Sequence, residues 1–430
     1  MPPNVKPPSH IIEPERSNNK VIRCAILGCG MMGQEHCSYI LGFPQEVQIR
    51  YICDPHEPSL TKCGKVFTEF SSNNGNKTNA PAPVAVRSEQ ELYDLYRNGI
   101  DLLVVATPNY QHAATLLLWG QLPHLTILLE KPAAVSTEQL QTLQAADLTA
   151  RVWVAMEYRF IPAIAKLIEL LDSVGDIKMI TIRENRYPFL HKVGEWNRDR
   201  SKTGDTLVEK WYDFMLEMVL AFNSPFYLLH SCHFFDLMRL ITGKEATLNK
   251  VRALAQRGLN YEDEEPHEVP IMDAAYVTMP FKGEDATSST GTIGCLELCM
   301  YAEGSRHQEE IIVTGTKGRL EAYLPENKVY QYQRPTVWKD RSEPPPAGSV
   351  NHKVYDCSDV AEVHGIDSSD LPTHGGYHYS STAVEWYRLL AAMHAYEEDG
   401  IWSPSVSLND GLRAVEIGLA ATQAIVNEQQ

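Results

Sequence analysis

Residues 21–33 read VIRCAILGCGMMG, a short apolar run followed directly by three glycines. The apolar run has the composition of a buried β-strand, and the residues after Gly33 have that of a helix. Gly28, Gly30 and Gly33 form the pattern G-x-G-x-x-G, which is typical of a dinucleotide-binding turn. There the first glycine allows a tight bend, the second lets a pyrophosphate approach, and the third lets helix pack on strand. Glycines also punctuate ordinary turns, so the surroundings of the pattern must support it.

A carboxylate follows at the place where such a turn needs one. The stretch 47–54, VQIRYICD, predicts a second strand that ends at Asp54, 21 positions after Gly33 (54 − 33). A carboxylate there accepts hydrogen bonds from ribose hydroxyls, whereas a plain turn at Asp54 is the alternative. An acid also disfavours a 2′-phosphate, which favours NAD over NADP and leaves NADP open. Met31 and Met32, between the glycines, belong to the same predicted cofactor loop.

The alternation of strand and helix continues to about residue 155. A capping box, Ser88 to Glu91, opens a predicted helix that closes at Gly99. Further strands are predicted over 101–108, 125–132 and 151–160, further helices over 112–122 and 136–149, and a surface loop over 71–83. Alternating helices and continuously apolar strands predict a parallel, doubly wound sheet. We therefore expect a Rossmann domain over 21–155, preceded by a disordered tail over 1–20.

The remainder of the chain, residues 156–430, has a different rhythm. Longer strands follow one another there, and several alternate apolar and polar residues, as half-exposed antiparallel strands do. We expect an α+β domain with a mostly antiparallel open sheet, which binds substrate and mediates association. Residues 333–372 predict a long irregular segment, and two helices, around 380–397 and 407–427, close the chain.

Charge and composition narrow the classes of function. A formal net charge of −17 argues against a nucleic-acid partner, because binding phosphates requires a basic face. The longest apolar stretch, 214–230, contains Glu217, Asn223 and Pro225, which argues against a membrane span. The nine cysteines form no C-x-x-C pair, so we expect reduced thiols, no metal site and a cytoplasmic location.

Several motifs together resemble the family of glucose–fructose oxidoreductase, inositol dehydrogenase and MocA (Gfo/Idh/MocA), in particular its inositol-dehydrogenase-like branch. The resemblance runs from Val21 to the final helix. It is carried by GCGMMG (28–33), ATPNYQH (106–112), EKP (130–132), CHFFDLMRLITG (232–243), EEIIVTGTKGRLEAY (309–323) and GGYHYSST (375–382). No single motif is decisive, but their order along the chain is that of the family.

The resemblance implies a role for individual residues. Lys131 of the EKP stretch is expected to reach both the nicotinamide and the substrate hydroxyl, and a solvated lysine at a strand end is the alternative. The remaining residues serve either a ligand or the domain interface. Those beside the cofactor are Thr107, Pro108, Asn109, His112 and Glu130. Those near the substrate are Arg159, Trp196, Arg198, Tyr377 and His378.

The same resemblance implies a catalytic base. Oxidation of a secondary alcohol sends a hydride to the nicotinamide and a proton to a side chain, for which histidine is suited. The family supplies it from an acid-x-x-x-His motif, whose spacing places both side chains on one helix face. Here His233 matches the histidine, and the segment TGDTLVEK (203–210) places the acid at Glu209. Lys131 would stabilise the developing alkoxide.

The sequence departs from the family at this motif. Glu209 and His233 are 24 positions apart (233 − 209) instead of four, and position 229 is leucine. An insertion over 211–231 causes the difference, and we hypothesise that it is translated intron sequence. Trp211 and Tyr212 can encode a splice donor, and Ser231 an acceptor, so that splicing would leave a single cysteine codon. A genuine loop insertion is the alternative, and it would separate acid from base.

Three functions stay open from the sequence. The first is an NAD(P)-dependent dehydrogenase that acts on a CH–OH group of a cyclic polyol or sugar, inositol-like. The second is a cofactor-binding sensor or regulatory protein of the same fold, which the insertion would favour. The third is a reductase of an imine or a conjugated double bond. By analogy with the family, a homo-oligomer is expected.

Overall fold

The computed structural model describes most of the chain. The described residues are 21–73, 81–185, 200–203, 231–256, 272, 274–282, 291–302, 304–335, 342–344, 349–372 and 380–428. Within them the chain forms two β-sheets with helices packed on both. No helix in these parts of the chain is long and apolar enough to cross a bilayer.

The N-terminal sheet has six parallel strands in the order β3-β2-β1-β4-β5-β6. The strands are β1 (Ile22–Leu27), β2 (Val47–Cys53), β3 (Val84–Val86), β4 (Leu102–Val105), β5 (Thr126–Leu129) and β6 (Arg151–Val154). The helices that connect them are α1 (Met31–Ile40), α2 (Glu57–Asn73), α3 (Glu89–Tyr96), α4 (Asn109–Trp119) and α5 (Thr137–Ala145). Every residue of β4 and β5 is buried, which explains why these strands read as continuous apolar runs. The predicted Rossmann fold is confirmed.

Two helix starts follow directly from the sequence. The hydroxyl of Ser88 accepts a hydrogen bond from the backbone N–H of Glu91, and that of Ser136 accepts one from Gln139. Each bond satisfies an amide that the first turn of a helix leaves without a partner. Ser88 therefore caps its helix as the capping-box pattern predicts, and Ser136 caps α5.

The C-terminal sheet has nine strands in the order β15-β14-β13-β12-β7-β11-β10-β8, with β9 beside β10. They are β7 (Ile177–Asn185), β8 (Glu245–Ala246), β9 (Arg252–Gln256), β10 (Ala274–Lys282), β11 (Thr292–Cys299), β12 (Glu309–Gly315), β13 (Gly318–Tyr323), β14 (Lys328–Gln333) and β15 (Asn351–Asp356). All pairs are antiparallel except β7 with β11. The mostly antiparallel sheet is confirmed.

Among the described residues, six helices accompany this sheet. They are α6 (Pro162–Glu169), α7 (Arg200–Thr203), α8 (Ser231–Thr242), α9 (Val360–His364), α10 (Ser381–Asp399) and α11 (Leu408–Glu428). Helix α10 also contacts α1, and α11 contacts β6, so the two closing helices pack against the N-terminal part of the chain. Both were predicted, whereas α6 was not.

Three local predictions were wrong. Helix α2 continues to Asn73, into the segment expected to be a loop, and β6 ends at Val154, where its partner strand β5 also ends. The segment 333–372 contains β15 and α9 in place of an irregular chain. Strand β15 lies at the edge of the sheet and is largely exposed. Backbone hydrogen bonds form such a strand without an apolar pattern, so its sequence gives little sign of it.

Candidate active site

The glycine turn lies where the strand order of the parallel sheet reverses, between β1 and β4. Gly28 has a φ of +94°, which is unfavourable for residues that carry a Cβ. A Cβ there would also lie 2.3 Å from the carbonyl oxygen of Ala106, at the end of β4. The first glycine therefore permits both the bend and the close approach of two strand ends, at the point where open α/β sheets bind ligands.

The other two glycines differ in what surrounds them. A Cβ on Gly30 would meet nothing within 4 Å, so this backbone faces open space. A Cβ on Gly33 would lie 1.9 Å from the carbonyl oxygen of Gly28, so this glycine is required for helix α1 to start close to the turn. Met31 lines the space above the turn, whereas Met32 is only 3% exposed and packs in the core. Met32 therefore lies on the buried side of the predicted cofactor loop.

A cleft of about 460 Å³ opens above this turn. It is lined by Leu27, Gly28, Gly30, Met31, Cys53, Asp54, Pro55, His56, Ser59, Arg87, Ser88, Glu89, Ala106, Thr107, Pro108, Tyr110 and Gln111. Asp54 is fixed at its wall, because its two carboxylate oxygens accept the backbone N–H groups of Cys29 and His56, each at 2.7 Å. A carboxylate so fixed can accept further hydrogen bonds from hydroxyl groups in the cleft.

The loop after β4 supplies unused polar groups beside the cleft. Asn109 is fully buried, and among the described residues neither its amide nitrogen nor its amide oxygen has a hydrogen-bond partner. The hydroxyl of Thr107 likewise makes no hydrogen bond within the described residues. A buried polar group without a partner is costly. These groups therefore fit a ligand that carries hydrogen-bonding atoms of its own.

His112 has a structural place in the same loop. Its two ring nitrogens lie 2.8 Å from the carbonyl oxygens of Pro132 and Thr107, so the ring joins the segments that follow β4 and β5. Burial lowers the pKa of His112, against the opposing effect of the two carbonyls. The side chain is fully buried and does not line the cleft.

The segment after β5 is anchored through its glutamate. Glu130 is 1% exposed and lies 2.9 Å from Nε2 of His36, which is on helix α1. The indole N–H of Trp386 donates to Nδ1 of the same ring at 3.1 Å. Because Nδ1 accepts, Nε2 carries the proton and donates to Glu130. This chain of bonds holds Lys131, which is fully buried, at the carboxyl end of β5.

His233 lies on helix α8, whose described part begins at Ser231, and is fully buried. Its Nε2 lies 3.3 Å from Oε1 of Glu157, which follows β6 in a short 3₁₀ helix and is 1% exposed. The ring stacks on Tyr158 with centroids 4.7 Å apart, and the Tyr158 hydroxyl donates to Glu309 at 3.2 Å. Sequence reasoning missed Glu157. Its signal was a single acid in the apolar run VWVAMEYRF, one position before Tyr158.

A further buried acid links the surroundings of Lys131 and His233. Glu385 on α10 is 1% exposed, and its carboxylate accepts the indole N–H of Trp153 at 3.0 Å. Burial raises the pKa of Glu385 well above its usual value, and the charges of Glu157 and Glu130 add to the effect. The residues that follow β5 and β6 therefore converge on one side chain of α10.

Arg159 is held by other side chains. Its guanidinium donates to Asp236 at 2.6 Å and to the carbonyl oxygen of Ser405 at 2.7 Å, and it lies 3.5 Å from Asp410. Burial lowers the pKa of Arg159, but the charges of Asp236 and Asp410 outweigh it and raise the pKa above its usual value. These contacts are the ones expected if Arg159 serves the domain interface, which was the alternative to a role in substrate binding. Trp196, Arg198, Glu209, Tyr377, His378 and residues 211–230 of the insertion lie outside the described residues.

Comparison with protein families agrees with this geometry. Residues 22–158 match the Gfo/Idh/MocA model described as "Oxidoreductase family, NAD-binding Rossmann fold", and residues 221–430 match the one described as "Oxidoreductase family, C-terminal alpha/beta domain". The chain belongs to the Gfo/Idh/MocA oxidoreductase family. The cleft above the glycine turn is thus part of the family's NAD-binding domain, and the resemblance seen in the sequence is confirmed.

Solved structures share the fold at low sequence identity. An oxidoreductase domain protein from Kribbella flavida is 18% identical, with a TM-score of 0.69 over 96% of this chain and 98% of its own. Levoglucosan dehydrogenase in complex with NADH and levoglucosan is 16% identical, with a TM-score of 0.66 over 95% and 98%. UDP-N-acetylglucosamine 3-dehydrogenase from Acidithiobacillus ferrooxidans is 17% identical, with a TM-score of 0.61 over 96% and 100%. No curated protein matches the chain in sequence.

Proposed function

We propose that this oxidoreductase transfers a hydride between NAD and a CH–OH group of a cyclic polyol or sugar, inositol-like. The observation that carries the proposal is the full burial of Lys131 and His233 in surroundings that meet at Glu385. Two buried groups able to hold a proton suit a reaction that moves a proton together with a hydride. In buried surroundings their charges also act more strongly than in water.

The cleft fits NAD in three respects. The open space at Gly30 leaves room for a pyrophosphate against the backbone, and Asp54 is placed to accept ribose hydroxyls while repelling a 2′-phosphate. The hydroxyl of Thr107, which lines the cleft and makes no hydrogen bond within the described residues, suits a polar atom of the nicotinamide half. When bound, NAD supplies the acceptor for the hydride.

The protein side of the reaction is the movement of a proton. Oxidation of an alcohol releases one proton from the substrate hydroxyl, and we assign its removal to His233. Lys131 as an ammonium would stabilise the negative charge that develops on the oxygen. Since both side chains are buried, little water competes for these contacts.

The substrate class is supported by the neighbours in fold. The names of two of them, levoglucosan dehydrogenase and UDP-N-acetylglucosamine 3-dehydrogenase, state sugars as substrates. We propose the same class of substrate for this chain, but neither of these two sugars in particular. Glu209, Trp196, Arg198, Tyr377 and His378 stay predicted site residues.

The experiment compares two forms of the protein: the chain as it stands, and one in which residues 211–231 are replaced by a single cysteine. Each is titrated with NAD and with NADP by calorimetry. Formation of the reduced cofactor is then followed by its absorbance with a panel of inositols, pyranoses and anhydrosugars. Cyclic imines and conjugated enones, tested with reduced cofactor, probe the reductase alternative.

The outcomes separate the alternatives. Turnover of a polyol or sugar by either form supports the proposal, and turnover by the shortened form alone also supports the translated-intron hypothesis. Tight NAD binding without turnover in both forms would contradict the proposed hydride transfer and favour a cofactor-binding sensor. Sequencing the mature transcript tests the intron directly, since a messenger RNA that retains the insertion throughout rules it out.

We also propose that the chain forms a homo-oligomer through the open face of the C-terminal sheet. Four large apolar side chains are exposed on neighbouring strands there: Met179, Leu254, Tyr276 and Ile293, at 52%, 65%, 56% and 56%. Strand register places Met179 beside Ile293 and Leu254 beside Tyr276. Such a patch is typical of an association surface. Light scattering of the wild type and of Tyr276→Lys would reveal a lower mass for the variant.

A cytoplasmic location of the protein stays a prediction.

A further inference from the structure

The acid of the family motif does not stand four positions before His233 in the sequence. Position 229 is leucine, and Glu209 precedes His233 by 24 positions. The described part of helix α8 begins at Ser231. A buried histidine that acts as a base nevertheless needs a partner to set its tautomer and orientation.

We propose that Glu157 is this partner, a positioning residue that orients His233 from a different element of the fold. The inference rests on the proposed function for the role of His233 as base. Oε1 of Glu157 lies 3.3 Å from Nε2 of His233, and both side chains are almost completely inaccessible, at 1% and 0% exposure. At this distance and in this burial, the negative charge of a carboxylate acts more strongly on an imidazole than it would in water.

The fold brings the two residues together through the parallel sheet. Glu157 follows the end of β6, and Lys131 follows the end of the neighbouring strand β5. The next residue, Tyr158, stacks on the imidazole, so one short segment supports the ring on its face and on its edge. These contacts leave the ring little freedom to rotate. A glutamate after β6 can thus replace an acid on the helix of the histidine.

The proposed pair requires an ionised Glu157. Glu385 has a pKa well above its usual value because it is buried and lies near Glu157 and Glu130, so it is the acid of this group that keeps a proton. Three further buried acids among the described residues have partners of their own. Glu309 accepts the Tyr158 hydroxyl, Asp236 binds Arg159, and Glu130 binds His36.

The proposed pair assigns a role to each ring nitrogen. The neutral imidazole would carry its proton on Nε2, on the side of Glu157, which leaves the lone pair on Nδ1. In alcohol oxidation the hydroxyl proton passes to Nδ1, while the electron pair of the C–H bond leaves with the hydride to NAD. The resulting imidazolium faces the negative charge of Glu157, which stabilises it. The reverse reaction returns the proton from Nδ1.

The test uses the full chain without cofactor, so it does not depend on turnover. Histidines are labelled with ¹⁵N and ¹³C, and His233 is assigned by the signal that disappears in His233→Asn. We expect ring ¹⁵N shifts of the Nε2–H tautomer in the wild type. In Glu157→Gln, which keeps the shape of the side chain, the titration midpoint of His233 should fall by about one pH unit or more.

Two further variants keep the test decisive. Glu309→Gln removes a buried carboxylate that accepts the Tyr158 hydroxyl, and it should move the midpoint by clearly less. Glu157→Asp keeps the charge and should restore part of the shift. A folded Glu157→Gln protein with the wild-type midpoint and tautomer would overturn the proposal. So would a shift produced by Glu209→Gln in place of Glu157→Gln.

Kinetics supply the second measurement if a substrate is found. In the proposed pair the negative charge of Glu157 stabilises the imidazolium, so its removal should move the acidic limb of the kcat–pH profile to lower pH. The plateau of kcat should fall about 100-fold, while KM changes little. Absence of turnover together with a shifted His233 midpoint would refute the proposed function and leave the Glu157–His233 pair intact. Unchanged kcat and pH profile would refute the positioning role alone.

Discussion

The cofactor cleft and the surroundings of His233 are assembled from the chain in different ways. Most residues lining the cleft lie in three short stretches, 27–31, 53–59 and 106–111, each directly after a strand of one parallel sheet. The contacts of His233 come instead from separate elements: Glu157 and Tyr158 after β6, with Glu309 on β12 and Glu385 on α10 behind them. The cleft is therefore local and motif-like, whereas the acid–base region depends on both sheets packing correctly.

This difference teaches where substitutions should act. A change in the cleft should alter cofactor affinity and leave the buried acids as they are. A change in the acid–base region should alter proton transfer and its pH dependence while NAD still binds. Four predictions test that separation, beginning with the largest expected effect.

Lys131→Met should abolish most turnover without a comparable loss of NAD affinity. Methionine keeps the length of the buried side chain but removes its charge, so kcat should fall by about 100- to 10,000-fold. Steady-state kinetics and NAD calorimetry on the same preparation measure the two effects. If affinity falls as far as kcat, Lys131 belongs to the cleft, and the separation between the two regions is broken.

Gly33→Ala should destabilise the fold itself. The new Cβ would lie 1.9 Å from the carbonyl oxygen of Gly28, so the helix must move, at a cost of about 3 kcal/mol. Gly30→Ala is the matched control, because its Cβ meets nothing within 4 Å and should leave the melting temperature nearly unchanged. That control should still weaken NAD binding, since the methyl group enters the cleft. Equal melting temperatures of the two variants would contradict the roles assigned to the glycines.

Glu385→Gln should change the pH dependence of stability. The folded state holds a proton on Glu385 above the pH at which the unfolded state releases it, so stability falls as pH rises above the unfolded pKa. The slope is about 1.4 kcal/mol per pH unit for one such group. Glutamine removes this contribution, so the variant should gain stability relative to the wild type at pH 8 compared with pH 5. If the difference in melting temperature between the variant and the wild type is the same at pH 5 and at pH 8, Glu385 carries no such proton.

Asp54→Asn should have the smallest effect and one confined to the cofactor. The amide loses the negative charge, so NAD binding should weaken about tenfold while discrimination against NADP decreases. Calorimetry with both dinucleotides measures the ratio, and the His233 titration serves as control because it should not move. A variant that keeps the full preference for NAD would place the discrimination elsewhere in the cleft.

Much of the fold was accessible from the sequence because its signals are local. The three glycines, the serine caps of α3 and α5, and the apolar runs of β4 and β5 each reflect a requirement of neighbouring residues. Strand β15 was missed because its structure comes from hydrogen bonds to β14, which impose no apolar pattern on an exposed edge. The place of Met32 in the core was missed for a similar reason, since the motif does not show which way a side chain turns.

The sequence by itself determined the parallel sheet, the glycine turn, Asp54 at the cleft and the family. It also pointed to Lys131 and His233, but it could supply an acid for the histidine only from the same stretch of chain. Tertiary structure alone decided that Glu157 lies against His233 and that Glu385 lies near both Glu157 and Glu130. The physical reason is that such contacts join residues many positions apart, 232 in the case of Trp153 and Glu385. Only the packing of the closing helices on both sheets brings them within reach.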